Sequence, residues 1–208
     1  MVALATSGLQ VIRLKGGDPL IFGRAGEEME SLRDAGIPYE IVPGVTSALG
    51  AAAAAQIPLT HRNAASALVF ITGHRASPSD AAEWKKFVGS GATLVIYMPG
   101  QNYSDVAAKL KSAGLAANTP CVVVSAATTG HQRTHLATIA ELHRTPKLAA
   151  PTLLIVGEVV RQAYRANTGE ESLISDVTGV RNNSLPAAFF QNFLLQSSQL
   201  TGDEEPFA

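Results

Sequence analysis

Short apolar runs alternate with longer amphipathic stretches along this chain. Runs rich in Val, Ile and Leu, bounded by Gly or Pro, fall at residues 11–14, 39–42, 67–71, 93–97, 120–125 and 152–156 and predict strands. Between them, residues 25–35, 46–55, 79–88, 104–113, 138–142 and 158–164 carry helical patterns. Gly36 is placed to stop the first helix, and Asp80 and Ser104 are candidate caps for two others. This alternation predicts an α/β architecture whose strands are mostly parallel and buried on both faces. Residues 51–55 are five successive alanines. They read as a helix lying close against a sheet, and equally as small side chains that make room for a ligand. From Asn167 the pattern dissolves into polar and acidic sequence that predicts a disordered extension. Within it, residues 185–195 (LPAAFFQNFLL) could form one short amphipathic helix, a possible docking element.

Length and composition narrow the class. A chain of 208 residues is long enough to bury a core without covalent staples. A single cysteine, Cys121, excludes a disulfide framework within the chain and a cysteine-ligated metal cluster. The five histidines (His61, His74, His131, His135 and His143) have no ligand-like spacing, so no metal is expected. No apolar run reaches the ~18–20 residues of a membrane helix. The opening residues carry no base before Arg13 and do not read as a leader. The expectation is a reduced, soluble compartment: the cytoplasm, or a plastid in a photosynthetic source.

Charge is unevenly spread. Residues 166–208 hold six acids and one base, whereas residues 1–165 hold 15 bases against 11 acids. A mildly basic body without any Lys/Arg run fits a small anionic ligand better than a nucleic acid.

Several loops stand where chemistry would be expected, at the carboxyl ends of predicted strands. In RLKGGDPLIFGR, Gly16 and Gly17 allow a tight turn and a close approach by a ligand. Asp18 there could accept bonds from ligand hydroxyls or cap the following turn. In VPGVTS, Thr46 and Ser47 open a helix whose free N–H groups favour polar or anionic groups, or simply need a cap. IPLTHR offers Arg62 to a carboxylate and reads as a hinge between two halves. TGH places His74, and YMPG places Met98, just after strands. There is no GxGxxG, no Walker loop and no nucleophile elbow, so neither a dinucleotide, a triphosphate nor a serine hydrolase is implied.

Taken in order, RLKGGDP, FGR, VPGVTS, IPLTHR, TGH, the Tyr97-Met98 pair and PTLLIVGEVV resemble the uroporphyrinogen-III C-methyltransferases of the tetrapyrrole methylase family. The resemblance covers residues 11–160. It implies an α/β protein built of two α/β/α halves of the tetrapyrrole methylase type, with the first half truncated. Residues 1–62 would form that first half, 63–165 the second, and 166–208 an acidic tail. The family's opening strand and GxGPGDxxLLT loop are not found, nor is the following segment that carries an acid and a lysine for proton transfer. The resemblance therefore implies impaired activity. Smaller departures are Gln56, where the family has Gly, and Pro99 after Tyr97-Met98.

The same resemblance assigns roles. The methyl donor S-adenosylmethionine would contact Gly16, Gly17, Asp18, Ile21, Thr46, Ser47 and Met98, then Ala127 at a position usually Gly, and Thr152. Uroporphyrinogen III, with eight carboxylates, would meet Arg24, Glu27, Arg62, His74 and Met98, with Arg24 orienting it for catalysis. Methylation at C2 and C7 would give precorrin-2, the precursor of sirohaem and cobalamin. The family also implies a homodimer, without nucleic acid or membrane partners. A non-catalytic remnant that binds donor or tetrapyrrole, and a methylase for another precorrin, remain the alternatives.

Overall fold

In the computed structural model, residues 1–73, 80–88 and 90–162 are described. His74 and the whole of 166–208, including the 185–195 stretch, lie outside them. The elements run α1 (Val2–Thr6), α2 (Ala25–Asp34), α3 (Ser47–Ala54), β1 (Leu68–Thr72), α4 (Asp80–Val88), β2 (Thr93–Tyr97), α5 (Tyr103–Ser112), β3 (Pro120–Ser125), β4 (Arg133–Thr138), a 3₁₀ turn at Leu142–Arg144, and β5 (Thr152–Val156). The class is α/β, as expected.

Five strands form one sheet in the order β1-β2-β5-β3-β4. Only β1 and β2 run parallel; β2–β5, β5–β3 and β3–β4 are antiparallel. The expected mostly parallel sheet is thus corrected. The two-sided burial was read properly, since every residue of β2 and β3 is buried. Burial does not report direction, however. A parallel pair needs a crossover of about a dozen residues or more. The β1–β2 link contains α4 and meets that need, while residues 126–132 between β3 and β4 are too few.

The helix expected at 138–142 does not form: residues 139–141 are a turn, and the unexpected strand β4 runs up to Thr138. Its Arg-Thr-His-Leu-Ala-Thr sequence carries two β-branched Thr residues, which favour a strand. The chain then turns into the 3₁₀ segment Leu142–Arg144. Of the helix expected at 158–164, residues 160–162 are helical, 158–159 form a turn, and 163–164 lie outside the described residues.

Two other expected strands do not form. Residues 11–14 and 39–42 are extended but pair with no strand, and Ile12, Leu14 and Val42 are 78%, 80% and 75% exposed. Apolar alternation prepares a strand, but a ladder requires a neighbour in register.

The sheet is covered on both faces. Along β2, Leu94 and Ile96 point to a core shared with Trp84, Val106, Leu110 and Leu142. Val95 and Tyr97 point to a second core shared with Ala48, Ala51, Ile57, Leu59 and Ile155. Ala48 and Ala51 are fully buried, so the alanine-rich α3 does lie close on the sheet. Helix ends follow their local chemistry. After α2, Gly36 at φ +65° donates to Arg33 O and Ile37 donates to Leu32 O, which ends the helix in a left-handed glycine turn. α5 is capped by Asn102, whose Oδ1 accepts from Asp105 N, and not by the expected Ser104. α4 is described from Asp80 onward, and the residues before it, where its cap would be judged, lie outside the described ones. No helix among the described residues is long and apolar enough to cross a membrane.

Candidate methyl-donor cleft

Where β2 ends and β5 begins, the sheet edge opens into a cleft of about 720 Å³. Tyr97 faces Leu153 across the β2–β5 pair, and Ser125 faces Thr152 across β3–β5, so three strand ends meet there. The floor is Val124 and Leu153. One wall is the loop from Lys15 to Gly23, another the start of α3, and a third Ala127 and Thr128 after β3.

Close backbone approach shapes the first wall. Gly17 has φ +91°, and a Cβ there would lie 3.5 Å from Ser47 Oγ. A Cβ on Gly44 would strike the Gly17 carbonyl oxygen, so the two loops can touch only with glycine at that point. Asp18 joins them: Oδ1 accepts from Leu20 N at 2.9 Å and Oδ2 from Gly44 N at 3.1 Å. The carboxylate thus caps its own turn and also holds VPG against GGD. Lys15 closes the loop from below. It is only 14% exposed, and its Nζ donates to Gly23 O at 2.5 Å and meets Glu28 Oε2 at 2.6 Å. The ammonium of Lys15, with help from Arg13, holds the Glu28 carboxyl below the usual carboxylate range.

The second wall is fixed by Tyr97. Its hydroxyl lies 2.6 Å from Thr46 Oγ1 and accepts from Ala48 N at 3.2 Å. Thr46 makes no side-chain cap of its own to α3. The Tyr97 ring packs on Phe22 and Phe70 at centroid distances of 4.8 and 5.6 Å. On the third wall, Gln132 is buried; its Oε1 accepts from Thr128 N at 2.7 Å and its Nε2 donates to Ala54 O at 3.4 Å. Left-handed conformations cluster here: Phe22, Met98, Ala126 and Thr128 all have φ between +45° and +66°. Met98 is half-exposed. A Cβ on Gly73 would come within 2.6 Å of Met98 O, so the glycine makes room for that turn.

All nine residues expected at the donor, Gly16, Gly17, Asp18, Ile21, Thr46, Ser47, Met98, Ala127 and Thr152, line this single cleft. The residues expected at the acceptor are less gathered. Met98 is in the cleft. Arg24 and Glu27 form a bidentate, exposed pair at 3.0 and 2.5 Å beside it, and neither lines it. That hydrogen bond holds the Glu27 carboxyl low and the Arg24 guanidinium high. Arg62 is exposed on the turn that His61 and Ala65 close with two backbone bonds. Sequence reasoning missed Lys15, Tyr97 and Gln132. A polar residue flanking a glycine loop was the available signal for Lys15. Tyr97 preceded a flagged Met98. Among the described residues, no group of three or more acids, histidines or cysteines could hold a metal ion.

The fold is an α/β sheet with a glycine-walled cleft at its strand ends, and comparison specifies the family. The family described as Tetrapyrrole (Corrin/Porphyrin) Methylases matches residues 1–143. The chain belongs to that family. It is 47% identical over 161 residues to the siroheme synthase of Actinobacillus succinogenes, covering 77% of this chain and 34% of that protein. With the siroheme synthase of Pseudomonas fluorescens it shares 47% identity over 163 residues, covering 35% of that protein. The chain therefore spans about a third of the length of these relatives. Among solved structures it is similar to the uroporphyrin-III C-methyl transferase from Thermus thermophilus complexed with S-adenyl homocysteine. There the TM-score is 0.68 at 35% identity, over 77% of this chain and 68% of that one. A cobalt precorrin-4 methyltransferase also reaches a TM-score of 0.68, at 25% identity.

Proposed function

We propose that the 720 Å³ cleft binds S-adenosylmethionine and that the chain is a unit of a uroporphyrinogen-III C-methyltransferase. The observation that carries this reading is the convergence of nine donor-loop residues, scattered from Gly16 to Thr152, on one cavity. The Thermus enzyme, similar over most of this chain, is complexed with the demethylated donor.

When bound, the donor supplies a methyl group on a sulfonium, already activated for attack by a carbon nucleophile. Gly16 and Gly17 admit the ligand close to backbone. Thr46 and Ser47 stand at the start of α3, whose first N–H groups and dipole favour anionic or polar atoms. Met98, in its left-handed turn, faces the cleft opening. The residues' contribution is alignment and water exclusion. The acceptor in this reading is uroporphyrinogen III, methylated at C2 and C7 to precorrin-2. Arg24, Glu27 and Arg62, with His74, would receive its carboxylate arms. Arg24 is engaged with Glu27, so an arriving carboxylate competes for its fork. Residues 1–62 and 63–165 would be the two halves around the donor, in a homodimer acting in the cytoplasm.

Transfer to carbon also requires loss of a proton. Among the described cleft residues, Lys15 is paired with Glu28, and both Asp18 oxygens accept backbone bonds. Donor binding with little turnover by this chain alone is the corresponding expectation, and a purely binding role is the second reading that the same observation favours.

Calorimetric titration of the 208-residue chain with S-adenosylhomocysteine tests the donor site. One-to-one binding in the micromolar range is expected. No measurable heat, together with no protection of the Gly16–Asp18 amides, would sink the reading. Turnover of uroporphyrinogen III at the rate of a full-length relative would instead refute the impairment.

A further inference from the structure

We propose that Tyr97 is the positioning residue of the donor cleft: its hydroxyl, not a helix-capping side chain of α3 itself, fixes the start of α3 against the glycine loop. The proposal rests on the donor reading of the cleft. Tyr97 ends β2 at the cleft edge and is almost wholly buried. Its side chain contacts both walls. Its ring packs on Phe22 of the 15–23 loop, and its oxygen bonds Thr46 Oγ1 and Ala48 N at the head of α3. The cap position of a helix is ordinarily filled by Ser, Thr, Asp or Asn accepting from the first-turn N–H groups. Thr46 occupies that position yet makes no such bond; its hydroxyl lies 2.6 Å from the Tyr97 hydroxyl, which itself accepts from Ala48 N. The tyrosine thus performs the capping from a residue 49 positions away and ties the helix to the sheet.

Two consequences follow for the ligand. The Thr46 hydroxyl already has a partner, so Thr46 and Ser47 would present mainly backbone and the Ser47 hydroxyl to a donor. The orientation of those groups relative to Gly16 and Gly17 is then set by one oxygen. Phe22 leans on the same ring with φ +51°, so the glycine loop takes its distance from Tyr97 too.

Tyr97→Phe keeps the ring and removes the oxygen. Two measurements on the full chain decide the case. Amide hydrogen exchange at Ala48 should speed up about tenfold or more, and the Kd for S-adenosylhomocysteine should rise five- to tenfold. Ile155→Val, a fully buried change in the same core but away from the cleft, provides the comparison. It should lower thermal stability while leaving the Kd unchanged. An unchanged Kd in Tyr97→Phe would overturn the proposal. So would an equal rise in Ile155→Val, which would mark a merely structural effect. Slow Ala48 exchange in Tyr97→Phe would also overturn it. If the unsubstituted chain fails to bind S-adenosylhomocysteine, the donor reading falls and the positioning role falls with it, while Ala48 exchange still reports whether the brace exists.

Discussion

At the end of α3, Gln56 holds a left-handed conformation, φ +56°, with its N–H on Ala53 O and the next N–H on Ala52 O. Gly36 and Gly114 make the same turn after α2 and α5. The left-handed region costs a residue with a Cβ about 1–2 kcal/mol, partly offset by its lower entropy when unfolded. Gln56→Gly should therefore stabilise the protein by about 0.5–1 kcal/mol and raise Tm by roughly 2 °C, read by calorimetry. A lower Tm would mean the Gln56 side chain makes a contact worth more than the strain. Gln56 was legible as a departure because the surrounding string implied glycine. The residues that brace the cleft were not legible. Tyr97 reaches Ala48 across 49 positions and Gln132 reaches Ala54 across 78. No local pattern encodes such partners. The loops that wall the cleft were legible because each sits in a short string whose glycines and strand ends announce a close backbone approach.

Among the elements, β1, β2, β3 and β5 were readable; β4 and the strand directions were not. β2, β3 and β5 are continuous apolar runs because both faces are covered, and such runs look alike whichever way they pair. β4 escaped because its polar edge residues mimic a loop. It also carries a titratable group. His135 is buried, and its Nδ1 has no hydrogen-bond partner. Burial lowers its pKa below the ordinary 6.5, against a smaller opposing pull from Glu141. Protonation therefore favours the unfolded chain. The contribution of neutral His135 is complete above pH 6.5 and is lost as pH falls through the lowered folded value. Thermal midpoints measured from pH 7.5 to 5 should decline, and His135→Leu should flatten that decline. An identical slope in the variant would show that the loss arises elsewhere.

For the whole molecule, the sheet and its two cores occupy residues 48–160, while none of residues 1–45 is among the buried members of either core. Ile12, Leu14, Val42 and Val45 are each exposed there. Exposed apolar side chains of that kind promote self-association and contribute little to the fold. Ile12→Lys and Val42→Lys should shift stability by no more than about 0.5 kcal/mol, yet reduce light scattering on concentration. A drop in Tm of several degrees would show that these side chains are part of a core after all. The hydrophobic pattern announced strands at both sites; the missing information was the neighbour, which a pattern along one chain does not contain. The placement of β5 has a consequence in time. It is the last strand among the described residues, yet it sits between β2 and β3 and bonds both. As the protein leaves the ribosome, the β3–β4 hairpin can close early, but the edges of β2 and β3 stay open until residue 156 has emerged. The cleft takes its floor from β3 and β5, so it is incomplete until then, and a chaperone that shields those two edges would act before the cleft exists.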